Sequence, residues 1–234
     1  LMRLNKFLAK SGVASRRKSD ELIQMATTEV NGKVCLDPAY DVTPNDNIYF
    51  DGKKVKLIED KIVYMLNKPE KVITTVSDTH GRKTVMDYIN SKVRITPIGR
   101  LDKQTTGLLL LTNDGDLHHY LTHPSHMVAK DYEAIIEGKI SDNQRKKLKR
   151  GIYIGYKEYG KAEIIKQETL KGRSNVQLRL RQGKKREIRR IFFRLKIKLL
   201  SLKRIGYSNL KLGNLKVGEY RELNQKEINS LYKT

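Results

Sequence analysis

The sequence predicts an α+β chain: a small helical module followed by a larger part with a mixed, mostly antiparallel sheet and flanking helices. Two short patterns of helical period occupy the first 26 residues. After residue 61, strand-like and helix-like segments alternate irregularly, the mark of an antiparallel sheet with a few helices rather than of repeated βαβ units. Residues 108–111 are four consecutive leucines, a strand buried on both faces and closed by the turn-forming Thr112-Asn113-Asp114-Gly115. A length of 234 residues holds one medium domain and a small one. The charged, turn-forming run 52–61 marks the boundary, giving expected domains over residues 2–58 and 59–234.

The elements follow in order. Leu4, Phe7 and Leu8 obey the i, i+3, i+4 rule, so residues 3–10 read as a helix ending at Gly12. Ser15 can cap a second helix that runs to about Ala26 and buries Leu22 and Ile23. Val30-Asn31-Gly32-Lys33-Val34 is a tight hairpin. Residues 62–66 read as a strand, 84–90 as a short helix, 99–112 as a loop and the leucine strand, and 128–137 as an alternating strand. Residues 142–150 form a basic helix, 152–181 several strands, 184–195 a helix, 199–205 a strand and 225–232 a closing helix. There is no internal repeat, and no Gly-x-Gly-x-x-Gly or phosphate loop, so no nucleotide cofactor is expected.

Lys and Arg number 48 against 26 Asp and Glu, a net charge of +22 that calls for a polyanionic partner, nucleic acid before an anionic membrane. Residues 1–58 hold 10 basic and 7 acidic side chains, the remainder 38 and 19, so most of the field belongs to the larger part. No apolar stretch approaches the roughly 20 residues of a membrane span, and the N-terminal residues lack a signal peptide's apolar block. The single cysteine, Cys35, reads as a small buried apolar residue. These features point to the reducing cytoplasm. Arg3, Lys6 and Lys10 share one face of the first helix, and Arg16, Arg17 and Lys18 open the second, where the helix dipole favours phosphate. Residues 184–204 contain ten basic residues and one acidic, Glu187, and Lys146, Lys147, Lys149 and Arg150 form another cluster. A solvated surface is the ordinary fate of such runs. Phosphate neutralisation is the reading adopted for part of them.

The candidate chemistry centres on the loop Gly99-Arg100-Leu101-Asp102, where one carboxylate lies between a cation and the hydroxyls of Thr105 and Thr106, beside a rigid strand. His118, His119, His123 and His126 form a decoy. His119 and His123 are spaced for a zinc site, but Pro124 interrupts the helix and no Glu accompanies them, so no metal is expected.

Gly99-Arg100-Leu101-Asp102 followed by Thr105-Thr106-Gly107-Leu108 resembles the signature of the RNA pseudouridine synthases of the small-subunit and related large-subunit rRNA branch. That resemblance implies that Asp102 is catalytic. His123-Pro124 and Lys130-Asp131-Tyr132 are similar to the family's His-Pro and Lys-x-Tyr elements, which implies that Tyr132 stacks on the target base and helps remove its C5 proton. The run 183–192 is similar to a third element and puts Arg189 where the family's basic residue pairs with the aspartate, as a bidentate partner. Glu187 and Gln182 replace the family's commoner Gln and Glu. Met65-Leu66-Asn67-Lys68-Pro69, residues 74–78 and Gly81-Arg82 are typical of the branch and are expected to shape the cleft's rim. Residues 2–50, with Arg-Leu-Asn-Lys-Phe-Leu-Ala, Gly-Val-Ala-Ser-Arg-Arg-Lys and Val-Asn-Gly-Lys, look like an S4-type RNA-binding domain. Ala26, Thr27 and Thr28 stand where that family usually has Gly-Arg-Val.

The resemblance therefore implies an S4-like domain over 2–58 and a pseudouridine synthase catalytic domain over 59–234. It implies catalytic Asp102, Tyr132 and Arg189. The expected RNA contacts are Arg3, Lys6, Lys10, Arg16, Arg17, Lys18, Arg100, Lys130, Lys185, Arg186 and Arg190. The expected partner is ribosomal RNA or a ribosomal-subunit precursor, with no metal, cofactor or membrane. A monomer is the default for an enzyme docking on large RNA, and the motifs lean towards a target in 23S rRNA ahead of 16S rRNA. A non-catalytic S4-type RNA-binding or ribosome-assembly protein would explain residues 2–50 and the charge, but it leaves Asp102, Tyr132 and Arg189 as coincidence. A glycosidase needs two positioned carboxylates, and Asp102 has no acidic neighbour in sequence until Asp114.

Overall fold

The computed structural model describes residues 1–232. They divide into two compact units, one of residues 1–62 with segments 91–94 and 113–115, the other of residues 63–90, 95–112 and 116 onward.

The first unit comprises β1 (Met2–Arg3), α1 (Leu4–Lys10), α2 (Arg16–Gln24), β2 (Thr28–Val30), β3 (Lys33–Val34), β4 (Asp41–Val42), β5 (Ile48–Phe50) and β6 (Lys53–Lys54). Leu4 and Leu8 of α1 and Ile23 of α2 meet Val30, Val42 and Ile48 in one core. The Ser15 hydroxyl accepts the Lys18 amide and starts α2. The helix stops at Gln24, short of the expected end, because Ala26 turns into the left-handed region at φ 61°. Ser19 and Ile23 are its buried residues, and Leu22 is half-buried. Asn31 and Gly32 take φ of 52° and 78°, the two positive values a two-residue hairpin requires. The strands pair in the order β3-β2-β5-β6, with β1 on β4. Cys35 is half-buried against this core.

The second unit begins with β7 (Val63–Lys68), β8 (Thr96–Pro97), β9 (Thr106–Thr112) and α3 (Gly115–Thr122). Then come β10 (Lys130–Glu137), α4 (Asp142–Arg150), β11 (Ile152–Gly155), β12 (Glu158–Gly160), β13 (Glu163–Leu170) and β14 (Arg173–Leu180). It ends with α5 (Glu187–Arg194), β15 (Leu199–Tyr207), β16 (Leu210–Lys211), β17 (Tyr220–Glu222) and α6 (Gln225–Ser230). Its sheet runs β13-β14-β10-β15-β9-β7-β17, with β16 on β15 and β8 on β9. β15 and β9 pair in parallel, and the other pairs among the described residues are antiparallel. The chain is thus α+β with a mixed, mostly antiparallel sheet. All four leucines 108–111 are fully buried, as the unbroken apolar run predicts. Leu108 and Leu110 pack with Leu117 and Leu121 of α3, while Ile188, Ile191 and Phe192 of α5 pack over Ala134, Val176 and Leu178.

Gly107 makes the parallel junction possible. Its φ is 100°, it pairs with Arg204, and a Cβ placed on it would lie 2.2 Å from the Arg204 carbonyl oxygen.

Several sequence expectations differ from the structure. The helix expected over 184–195 begins at Glu187, because Arg186 sits at φ 52° and keeps residues 184–186 outside it. The expected helix over 84–90 is one tight turn, Val85–Tyr88, closed by a Thr84–Asp87 capping box. Helix α3 and strand β17 went unread. Helix α3 follows directly on the Asn-Asp-Gly turn, and its buried face is the i, i+4 pair Leu117 and Leu121.

Candidate active site

The loop before β9 is pinned on both sides of Asp102. The Asp102 carbonyl accepts the Thr105 amide at 2.9 Å, and the Lys103 carbonyl accepts the Lys71 amide at 2.8 Å. The Thr74 hydroxyl donates to the Leu101 carbonyl at 2.8 Å and accepts the Leu101 amide at 3.3 Å. Beneath the loop, Lys68 is fully buried at the end of β7 and donates its Nζ to the carbonyls of Thr105 (3.0 Å) and Pro69 (2.8 Å). Burial brings the Lys68 ammonium down to about 8, with Asp102 pulling the other way. A backbone tied at 101, 102, 103 and 105 fixes where Asp102 leaves the chain.

Arg189 reaches this loop from α5. Its Nη2 donates to the Gln104 carbonyl at 3.1 Å and to the Thr105 hydroxyl at 3.2 Å. Its Nε stands 3.6 Å from Asp102 Oδ2, an ion pair too long for a hydrogen bond, and that Nε is buried without a hydrogen-bond partner. The bidentate grip on the carboxylate is therefore absent, and it is Nη2 alone that bonds the loop carrying Asp102.

Asp102, Arg100, Lys130, Tyr132, Arg186 and Arg189 line one cleft. Lys130 and Tyr132 reach it together because alternate residues of a strand share a face. Asp131 between them is buried elsewhere: Arg179 grips it with Nε at 2.7 Å and Nη2 at 2.9 Å, and Lys211 adds Nζ at 2.8 Å. Its carboxyl is held below the usual range, chiefly by the Arg179 hydrogen bonds.

The cleft also contains residues outside the expected site set. Arg204 is 2% exposed, donates Nε to the Leu108 carbonyl at 2.7 Å, and leaves Nη2 buried without a hydrogen-bond partner. Its guanidinium lies 4.9 Å from the ring centre of Tyr207, whose phenol burial pushes up to about 12. Lys130 Nζ lies 5.3 Å from the same ring, and burial, aided by Arg204, brings that ammonium down to about 8. The signal for Arg204 lay in β15, where a cation alternates in register with Leu202 on the buried face. Glu187 is a second carboxylate on the cleft wall, hidden by its distance from Asp102 in sequence. Its oxygens accept the amides of Lys184 (3.1 Å) and Lys161 (3.3 Å), and burial raises its pKa. It is an anchor for the start of α5.

Other expected contacts lie elsewhere. Lys185 and Arg190 border a separate depression by the β11–β12 hairpin. Arg190 is bonded to the carbonyls of Ile154, Gly155 and Lys185 and to Glu158, so it is a structural strut and not an open phosphate contact. In the first unit Arg3, Arg16, Arg17 and Lys18 are exposed and Lys6 and Lys10 half-buried, with Lys18 paired to Glu21 at 2.7 Å. His119, His123 and His126 pack ring against ring, and among the described residues no group of three or more His, Cys, Asp or Glu could hold a metal ion.

Known proteins share the sequence pattern and the fold of this chain. The family model described as RNA pseudouridylate synthase matches residues 62–193, and the S4 domain model matches residues 2–48. The ribosomal large subunit pseudouridine synthase B of Bacillus subtilis (strain 168) is 40% identical over 98% of this chain and 95% of its own length. An RNA pseudouridine synthase of Aquifex aeolicus (strain VF5) is 37% identical over 99% of this chain and 94% of its own. A crystal structure of a pseudouridylate synthase superposes with a TM-score of 0.70 at 30% identity, covering 99% of this chain and all of that one. With an S4 domain at its start and the synthase fold around a pinned aspartate, the chain belongs to the RNA pseudouridine synthase family.

Proposed function

We propose that this enzyme converts a specific uridine of 23S ribosomal RNA to pseudouridine, with Asp102, Tyr132 and Arg189 as its working residues. The observation that carries the reading is the placement of Asp102 3.6 Å from Arg189, in a basic cleft whose wall bears Tyr132. The large-subunit activity in the name of the Bacillus subtilis relative supports 23S over 16S rRNA. The S4 match supports a structured RNA partner, ribosomal RNA or a subunit precursor, docked by residues 2–58 and modified by residues 59–234. No helix among the described residues is long and apolar enough to cross a membrane, and the reading adopted is a cytoplasmic enzyme that acts as a monomer.

The isomerisation breaks the N1–C1′ bond, turns the uracil over and forms a C5–C1′ bond. The proton lost from C5 is matched by one gained at N1, so the reaction balances without a co-reactant. The Asp102 carboxylate works at the sugar, as nucleophile at C1′, base at C2′ or counter-charge to a cationic C1′. Each route demands the same fixed position, and Arg189 secures it through Gln104 and Thr105. The uracil must leave its stack to enter the cleft, and Tyr132 receives its face. Exposed Arg100 and Arg186 meet phosphates at the rim.

The test is to incubate unmodified rRNA fragments or deficient ribosomes with the protein and with Asp102→Asn, then map pseudouridine. The expected result is new pseudouridine in 23S rRNA with the native protein and none with the variant. Modification confined to 16S rRNA overturns the target, a fully active variant overturns the role of Asp102, and no rRNA product from the native protein overturns the substrate.

A further inference from the structure

We propose that the depression between the β11–β12 hairpin and α5 is a second RNA site, one that stacks an unpaired base on Tyr156 and Phe193. The inference rests on the RNA-directed activity above and extends it beyond the cleft to the strand that leaves it.

Tyr156 and Lys157 form the two-residue turn of the hairpin at φ of 53° and 57°. Asn-Gly is the ordinary occupant of such a turn. A bulky aromatic at positive φ is costly, and Tyr156, 89% exposed, recovers nothing from the core. Phe193 of α5, 77% exposed, lines the same depression. Two open aromatic faces there suit a nucleobase, which offers a π-face whatever its identity.

The surrounding charge selects an anionic partner. Lys185, Arg186 and Arg194 line the depression, and its one acidic residue, Glu158, is neutralised by Arg190 at 2.6 Å. Arg190 also lies 5.2 Å from the Tyr156 ring centre, bracing the aromatic from the protein side. Arg186 lines both this depression and the cleft, so the basic path between them is continuous. A strand whose target nucleotide occupies the cleft thus passes cations on its way to the aromatic pair.

The test uses the full chain with two probes, a fluorescein-labelled oligouridylate of about 12 nucleotides and a duplex RNA of about 12 base pairs. Tyr156→Asn should weaken oligouridylate binding about tenfold, leave the salt slope unchanged because no charge is lost, and spare duplex binding. It should also raise the melting temperature, since Asn tolerates the turn. Tyr156→Phe should bind as the native protein does. An Asn variant with native oligouridylate affinity overturns the proposal, as does an equal loss for both probes. Sedimentation showing a native dimer that the Asn variant breaks also overturns it, by assigning the aromatics to a contact between copies. The catalytic reading is tested separately, by mapping pseudouridine with the native protein, so its failure leaves the stacking result standing.

Discussion

The cleft and the hairpin depression share α5 and Arg186, yet they hold their side chains by opposite means. Around Asp102 the polar groups are inward and committed: Lys68 is fully buried, Glu187 is closed on two amides, and Arg204 is 2% exposed. At the hairpin the aromatic surface is outward, with Tyr156 at 89% exposure on a turn that disfavours it. Arg189 and Arg190 show the contrast within one turn of helix. Successive residues point about 100° apart, so one steadies the Asp102 loop and the other the hairpin. The lesson is that reaction chemistry needs an aimed group, whereas capture of a strand needs an accessible one.

The largest effect should come from breaking the foundation of the cleft. Gly107→Ala puts a Cβ 2.2 Å from the Arg204 carbonyl. It should destabilise the protein by roughly 4 kcal/mol or more, because backbone must move, and abolish pseudouridine formation. Gly172→Ala, at φ 74° with nothing within 4 Å of the added carbon, should cost only about 1 kcal/mol. Urea denaturation of the two variants makes the comparison. Equal midpoints would deny that the β9–β15 junction carries the site.

Next in size is Arg189→Lys. The charge stays but the Nη2 that holds both Gln104 and Thr105 is lost. We expect kcat to fall about 10- to 100-fold with KM changed little, the mark of a positioning loss. A change confined to KM would make Arg189 an RNA contact like those expected at the hairpin.

Much of this was legible in sequence because it follows from local rules. Leu108–Leu111 read as a doubly buried strand and are one, and the basic helix expected over 142–150 has those bounds, closed at its start by a capping box of Ser141 and Gln144. The grouping of Asp102, Tyr132 and Arg189 came from resemblance, since residues 30 and 87 positions away along the chain carry no local signal of contact. Two things stayed hidden. The role of Arg190 depended on where the hairpin carbonyls would fall, which no periodicity reports. The burial of Lys68 depended on the loop above it, since a lysine read alone is a surface residue.

The smallest effect sharpens the contrast through pH. Burial brings the Lys130 ammonium in the cleft wall down to about 8, so raising pH from 7 to 9 removes one positive charge from the unliganded cleft. RNA binding favours the charged form, so the loss should appear in kcat/KM as a decline of roughly threefold, and hardly in kcat. Unfolding cannot imitate it. Between about 8 and 10.5 the unfolded chain holds more protons than the folded one at Lys68 and Lys130, so their contribution to stability rises with pH. Tyr207, pushed up to about 12, loses its contribution only above its unfolded value of 10. Lys130→Met should flatten the profile at the high-pH level, while Tyr156→Asn should keep the native shape. A decline that survives unchanged in Lys130→Met belongs instead to Lys68, also brought down to about 8, and the titrating charge is then under the Asp102 loop, not in the wall.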